Sequence, residues 1–224
     1  DLANPNRIRR RTAVVEATVW PGASGTITPM DPQLLPAPDR LVAGLLTAAE
    51  DYDFAGCDRL FAVAVAELEP LVLVRDVTAP ALREAGNRWQ RGEWSVVQEH
   101  MLSGVVRRQL SAALDRHLSH SDGPTILFTT LSGERHELGG LMGAFLAASR
   151  GYRSIYLGPD LPAGDICTFC SRRPVDALAL SLVTQPDVND ARGQLDELRK
   201  GVPATTEIWV AGQAANLLAR DHLP

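Results

Sequence analysis

His136 is the residue whose neighbours point most directly to chemistry. It lies in the segment SGERHELGG, residues 132–140, directly after the apolar run TILFTT, and Glu134 precedes it by two positions. An imidazole can bind a metal through one ring nitrogen while the other donates to a carboxylate, and Glu134 is placed to accept that bond. A histidine in a loop is more often an ordinary hydrogen-bonding residue than a ligand, so the pair alone leaves both interpretations open.

A second candidate is the CTFC segment, in which Cys167 and Cys170 have the spacing of a redox pair or of half a metal site. The third cysteine, Cys57, is distant in the sequence, and no second CxxC pair occurs. The interpretation favoured here is therefore two small apolar residues on a helix.

The composition is that of a globular protein, with 45% hydrophobic residues among 224 and a formal net charge of −5. This charge gives no general attraction to nucleic acid or anionic lipid, although NRIRRR at residues 6–11 is a local basic exception. No apolar run approaches the roughly 20 residues that a membrane span needs, and no signal peptide is recognisable. We therefore expect a cytoplasmic protein without a membrane segment.

The first half of the chain predicts an arm and a helical bundle. Residues 1–37 are rich in proline and glycine and predict an extended N-terminal arm. In residues 38–120 apolar side chains recur at helical spacing, as in Leu41, Leu45 and Ala48 of a first helix capped by Asp39. Further helices are predicted over residues 54–68, 69–91 and 95–118, which together indicate a four-helix bundle.

The second half, residues 121–224, alternates apolar strands with helices. The strands are predicted at 125–130, 153–158, 175–183 and 206–212, and the helices at 138–151, 163–173, 187–201 and 213–222. This pattern predicts a Rossmann-like (flavodoxin-like) parallel sheet, so the fold class is α + α/β. Ligands of such sheets bind at the strand carboxyl ends, where His136 falls, but the usual GxGxxG turn is missing. The sequence stops before the fifth strand that such a fold normally has, which suggests C-terminal truncation or disorder.

The spacing around His136 resembles the cobalamin-binding domain family. The DxHxxG motif of that family appears here as Glu134-x-His136-x-x-Gly139, and 41 residues then precede Ser181. The resemblance implies that His136 replaces the nucleotide base of the cofactor as lower axial ligand of cobalt, with Glu134 orienting the ring. The family departure is Glu134, which stands where Asp is usual.

Two later segments complete this resemblance. Ser181-Leu182-Val183 matches the Ser-x-Leu motif, and Gly212-Gln213, 28 residues further on, matches the Gly-Gly motif. The resemblance implies that Ser181 hydrogen-bonds near the displaced base and that Gly212 leaves room for it. Val183 replaces the leucine of the family, and Gln213 adds a side chain where a glycine is usual.

The bundle carries a further motif, Trp89 followed by nine residues and then Glu99-His100. It resembles the W-x9-EH pattern of adenosylcobalamin-dependent photoreceptors of the CarH/LitR type. The resemblance implies that Trp89 forms an apolar wall for the 5′-deoxyadenosyl group on the upper face, and that Glu99 binds its ribose. His100 is expected to bond the adenosyl group or to become the upper cobalt ligand after photolysis. Well-known DNA-binding members have a cobalt-ligating histidine where this chain has Gln90, so either His100 takes that role or water stays above cobalt in the lit state.

The resemblance therefore implies a sensory module rather than an enzyme. It implies that adenosylcobalamin binds base-off/His-on in the dark, and that light cleaves its Co–C bond and changes the conformation or oligomeric state. We expect a homo-oligomer that regulates a protein partner or an output domain, since residues 1–37 are too short and proline-rich to form a DNA-binding domain. Trp20 and Trp94 are interpreted as packing residues.

Other functions remain open at this point. The first is a corrinoid protein that carries methyl groups between methyltransferases, which would need an open upper face. The second is a Rossmann-like binding module without cobalamin. Some relatives also bind a bilin as a second chromophore, and no residue in this sequence indicates one.

Overall fold

The computed structural model describes residues 37–118, 122–184 and 188–215. The predicted arm, with Trp20 and NRIRRR, and most of the predicted last helix lie outside these ranges. The described residues pack into two compact units, one containing residues 37–118, 122–124 and 141–156 and the other containing the rest. These units differ from the linear domains separated at residue 120, which stay a prediction.

Four helical stretches occupy the first part of the chain, as predicted. The regular helices are α1 (Pro38–Glu50), α2 (Phe54–Glu67) and α5 (Val96–Leu118). Their contacting faces bury Leu45, Phe61 and Leu110 completely. Asp39 was the wrong N-cap: Ala37 takes that position, because Pro38 has the backbone torsion of a first helical residue and needs no N–H partner there.

The predicted helix at residues 69–91 is continuous but not regular. It consists of α3 (Pro70–Val72), a π-helical turn (Leu73–Thr78) and α4 (Ala79–Gln90). The cause is Pro80, which has no N–H to donate and whose ring would collide with the carbonyl four residues earlier in a regular helix. The wider turn is closed by the buried Thr78 hydroxyl, which donates to the Leu73 carbonyl at 2.9 Å.

The turn between α4 and α5 is stabilised at both ends. Gly92 has a φ of +73°, a conformation that glycine adopts without strain. Ser95 and Gln98 form a reciprocal cap, in which the Ser95 N–H donates to Gln98 Oε1 at 2.8 Å. Trp94 is 4% exposed, and the Arg88 guanidinium lies 5.2 Å from its ring centroid, so the prediction that Trp94 is a packing residue is confirmed.

The second part of the chain forms the predicted parallel sheet. Its strands are β1 (Thr125–Thr129), β2 (Arg153–Tyr156), β3 (Ala177–Ser181) and β4 (Glu207–Ala211), in the order β2-β1-β3-β4. The helices α6 (Leu138–Ser149), α7 (Ala163–Arg172) and α8 (Val188–Gly201) alternate with them. The fold class predicted from the sequence is therefore confirmed.

The strand order reverses between β1 and β3, which pair in parallel with Ile126 opposite Ala177. In a doubly wound sheet, such a reversal leaves a crevice beyond the carboxyl ends of the two strands. Two segments begin at these carboxyl ends: the loop of residues 130–137 after β1 and residues 182–184 after β3. Strand β3 is shorter than predicted because Leu182 and Val183 continue the apolar run beyond its last paired residue.

No helix within the described ranges has the length and apolar character that a membrane crossing requires.

Candidate functional site

Glu134 joins the loop after β1 to the end of β3. Its side chain is 0% exposed. Oε1 accepts hydrogen bonds from the backbone N–H of His136 at 2.9 Å and from its Nδ1 at 2.6 Å. Oε2 accepts from the backbone N–H groups of Val183 and Thr184, both at 2.7 Å. One carboxylate thus connects the Glu-x-His motif with the Ser-Leu-Val motif that follows 41 residues after Gly139.

The charge of Glu134 decides the tautomer of His136. Burial alone would raise the pKa of this carboxyl, but the hydrogen bonds from His136, Val183 and Thr184 outweigh it and lower the pKa from 4.5 to about 2. An ionised carboxylate only accepts hydrogen bonds, so the His136 Nδ1 must carry the proton. The Nε2 lone pair is then available to a metal, on a ring that is 57% exposed.

Thr184 belongs to this cluster and was missed by the sequence analysis. Its hydroxyl lies 3.0 Å from His136 Nδ1 and 3.4 Å from Glu134 Oε1. The signal in the sequence was its position directly after Ser181-Leu182-Val183, where a hydroxyl side chain follows a buried strand. Nothing in the sequence alone indicated that this strand end returns to Glu134.

Gly139 and Ser181 lie against each other where α6 begins. A Cβ on Gly139 would be 2.7 Å from Ser181 Oγ, so a larger residue would push the first turn of the helix away from β3. The structure thus gives a reason for glycine at position 139 that lies within the protein, since Ser181 occupies the space that a side chain would need.

The backbone conformation at position 212 and the nearby main chain of Leu182 require a glycine. Its φ is +105°, and a Cβ there would be 2.1 Å from the Leu182 carbonyl oxygen. The main chain of Leu182 thus gives a reason for glycine within the protein, and the expectation that Gly212 leaves room for the base stays a prediction. Gln213 is exposed. At Val183 the backbone N–H makes the contact with Glu134, which explains why valine can stand in place of leucine.

The predicted upper-face residues lie around the turn between α4 and α5. Trp89 is 49% exposed, an unusual state for a tryptophan, and Val96 and Val97 beyond the turn are exposed as well. A hydrogen bond of 2.5 Å joins Glu99 Oε2 and His100 Nδ1. Trp89 is in the last turn of α4 and the acid–imidazole pair is in the first turns of α5, so the structure brings Glu99 and His100 together and leaves the Trp89 ring open.

His136 could supply one axial ligand to a metal ion whose equatorial ligands come from its own macrocycle. No group of three His, Cys, Asp or Glu side chains within the described ranges is arranged to hold a free ion. His136 offers a single nitrogen, oriented by a carboxylate, as metal-binding histidines usually are. A metal held in a macrocycle needs only such an axial donor from the protein, as haem iron does.

The CxxC segment has no comparable arrangement. Cys170 is buried and Cys167 is half-buried on α7, and both are free thiols. Burial raises the pKa of each thiol, and the charge of Glu197 raises that of Cys167 further. Thiols with raised pKa values are poor nucleophiles and poor metal ligands, so the packing interpretation is the one that these positions favour.

Comparison with known proteins agrees with these observations. A family model described as the B12 binding domain matches residues 41–113. The chain is 32% identical over 176 residues, 76% of its length, to the HTH-type transcriptional repressor CarH of Myxococcus xanthus, of which it covers 57%. It is 31% identical over 145 residues, 64% of its length, to the HTH-type transcriptional repressor CarA of the same organism, of which it covers 46%. The chain thus spans about half the length of these relatives.

Among solved structures, the monomethylamine corrinoid protein of Methanosarcina barkeri superposes with a TM-score of 0.63 at 14% identity. The match covers 79% of this chain and 85% of that one, and it shows a shared fold. Residues 41–113 therefore belong to the B12 binding domain family, and the chain is similar to the repressor CarH.

Proposed function

We propose that the chain is a light-sensing module that binds adenosylcobalamin base-off, with His136 as the lower axial ligand. The observation that carries this proposal is the orientation of His136 by a buried, ionised Glu134, which leaves Nε2 available. When bound, adenosylcobalamin supplies a Co–C bond that light can break. The resemblance to CarH supports the adenosyl form over other cobalamins.

The residues Trp89, Glu99 and His100 are proposed to recognise the adenosyl group. The exposed indole of Trp89 can lie against the flat adenine or the ribose, and the Glu99 carboxylate can accept from ribose hydroxyls. The Glu99–His100 hydrogen bond sets the ring of His100 for a role as upper ligand once the adenosyl group has left. Because Gln90 stands where a histidine is usual, His100 is the imidazole that this motif offers.

The proposed output is regulatory. Loss of a ligand that one conformation binds better shifts the equilibrium toward the other, which can change an oligomeric state or a partner's affinity. CarH is a transcriptional repressor of the HTH type, and this chain covers 57% of it. We propose that the module acts on transcription through an output domain or a protein partner and forms a homo-oligomer. A bilin has no support among the described residues or the comparisons.

The test is absorption spectroscopy of the purified chain mixed with adenosylcobalamin, before and after illumination. We expect a base-off/His-on spectrum in the dark, a permanent change after green light, and a change in size by light scattering. His136→Ala is expected to weaken binding or to leave the cofactor base-on. Failure to bind in the dark would refute the proposal, and an unchanged spectrum of His136→Ala would refute the axial role.

A methyl-carrying corrinoid protein is the second candidate, favoured by Gln90 in place of the photoreceptor histidine. The same experiment separates the two functions. Binding of cobalamin with no change in conformation or size after light would favour methyl transfer, because a carrier needs access to cobalt rather than a response to adenosyl loss.

A further inference from the structure

The loop that carries His136 is tied to three other segments of the chain. Glu134 ties it to the end of β3, as described above. Asp160, between β2 and α7, accepts a hydrogen bond at Oδ1 from the Gly133 N–H at 2.8 Å. Gln194, on α8, contacts the backbone of Ser132. The second and third ties lie outside every motif that the sequence analysis identified.

The side-chain amide of Gln194 forms hydrogen bonds with both the N–H and the C=O of Ser132. The Ser132 N–H donates to Gln194 Oε1 at 3.0 Å, and Gln194 Nε2 donates back to the Ser132 carbonyl at 3.2 Å. The second N–H of the amide donates to Asp190 Oδ2, one turn earlier on α8, at 2.7 Å. An amide that pairs with the N–H and C=O of one residue fixes both the position and the orientation of that residue, as a rung of a β-ladder does.

Asp160 and Thr130 secure the other side of the loop. The Asp160 N–H donates to Thr130 Oγ1 at 2.8 Å, and the Thr130 hydroxyl donates to the Glu134 carbonyl at 2.5 Å. Asp160 adopts a φ of +64°, which is rare for a residue with a side chain and more accessible to aspartate than to most. Gly133, whose N–H donates to Asp160, has a φ of +87°, a conformation that glycine adopts without strain.

We infer that Gln194 is a positioning residue for His136, an inference that rests on the proposed cobalt ligation. Ser132 lies four positions before His136, and the ties on Ser132 and Gly133 restrict the loop to conformations in which Glu134 reaches β3. When only a fraction of molecules has the competent loop, the apparent affinity falls by that fraction. Gln194 therefore acts on the lower ligand from a helix that contributes no ligand itself.

The test uses adenosylcobinamide, which has no nucleotide base, so that an imidazole signature in its spectrum can only come from the protein. Gln194→Leu removes both bonds to Ser132, and we expect about ten-fold weaker binding in the dark. Gln194→Glu keeps the size and the acceptor for the Ser132 N–H but places a carboxylate oxygen against the Ser132 carbonyl and Asp190 Oδ2, so we expect a loss at least as large as that of Gln194→Leu. Asp196→Asn is the matched control, since this exposed residue of α8 is paired with Arg199, and its affinity should equal that of the parent.

Amide hydrogen exchange of the cofactor-free protein separates positioning from general destabilisation. In Gln194→Leu, exchange should rise at residues 132–136 and stay unchanged in β1 and β3. Unchanged affinity and exchange in this variant would overturn the inference. If His136→Ala retains the imidazole signature, the proposed ligation fails; if it loses the signature while Gln194→Leu behaves like the parent, only the inference fails.

Discussion

At the scale of single residues, Glu134 has two roles that the sequence presented as one. The longer side chain, compared with the aspartate of the family motif, spans from the His136 ring to the backbone of Val183 and Thr184. Glu134 therefore stabilises the fold of the protein as well as orienting the proposed cobalt ligand, His136. Because Glu134 stabilises the fold, its replacement should lower the stability of the protein even without the cofactor.

Glu134→Gln should lower the free energy of unfolding of the cofactor-free protein by up to about 3 kcal/mol near neutral pH. The folded-state pKa of about 2 lies below the unfolded value of 4.5, so this contribution is present above about pH 5 and is lost as the pH falls toward 2. Urea unfolding at about pH 7 and about pH 3 measures it. The difference from the parent should shrink in acid, and a loss of equal size at both pH values would contradict the assignment.

Gly212→Ala should destabilise the fold by about 2 kcal/mol or more, because the new Cβ would meet the Leu182 carbonyl at a φ of +105°. The matched control is Gly193→Ala on α8, where nothing lies within 4 Å of an added Cβ. That variant should be more stable than the parent by about 0.5 to 1 kcal/mol. Thermal unfolding of both variants checks the pair, and equal effects would show that the close approach at Gly212 is unimportant.

At the scale of secondary-structure elements, the π-helical turn distinguishes the α3–α4 stretch from an ordinary helix. The turn absorbs Pro80 within a continuous helix and places Trp89 at its end, directly before the turn into α5. Pro80, which disrupts a regular helix, can be seen in the sequence. The formation of a π-helical turn in its place depends on the hydrogen bond from the buried Thr78 hydroxyl to the Leu73 carbonyl.

Thr78→Val keeps the shape of the side chain and removes its hydrogen bond to the Leu73 carbonyl. We expect a loss of about 1 to 3 kcal/mol in the free energy of unfolding, because a buried carbonyl would be left without this partner. Thr47→Val, at an exposed position of α1, is the control and should change stability by less than about 0.5 kcal/mol. Denaturant unfolding compares the two, and a neutral Thr78→Val would argue against the role of the hydroxyl in the π turn.

At the scale of the whole molecule, two tryptophans beside the same turn have opposite roles. Trp94 is buried and contributes to the helical unit, whereas Trp89 is 49% exposed and contributes much less to it. Removal of Trp89 can therefore test the proposed light response without loss of the fold. This separation is what makes Trp89 useful for the functional experiment.

Trp89→Ala should retain cobalamin through His136 and lose the light-dependent change in size or conformation. Its stability should fall by less than about 1 kcal/mol, while Trp94→Ala should lose about 3 to 5 kcal/mol. Absorption spectra and light scattering before and after illumination measure the response, and calorimetry measures the stability. A normal light response in Trp89→Ala would refute its part in the coupling.

The sequence by itself determined the elements, the fold class and the pairing of His136 with Glu134. Each of these depends on local periodicity or on neighbours two residues apart, and local patterns are readable along a chain. The domain boundaries, the adenosyl-binding residues and the output stay predictions.

The tertiary structure decided which distant residues complete the site. Thr184 and Gln194 reach the His136 loop across 50 and 62 residues of sequence, and Gly212 is constrained by the carbonyl of Leu182. No periodicity predicts these contacts, because they arise only when parallel strands bring their carboxyl ends to one edge of the sheet. The histidine could be recognised from its neighbours in the chain, and the reasons for its position lie in three other segments of the fold.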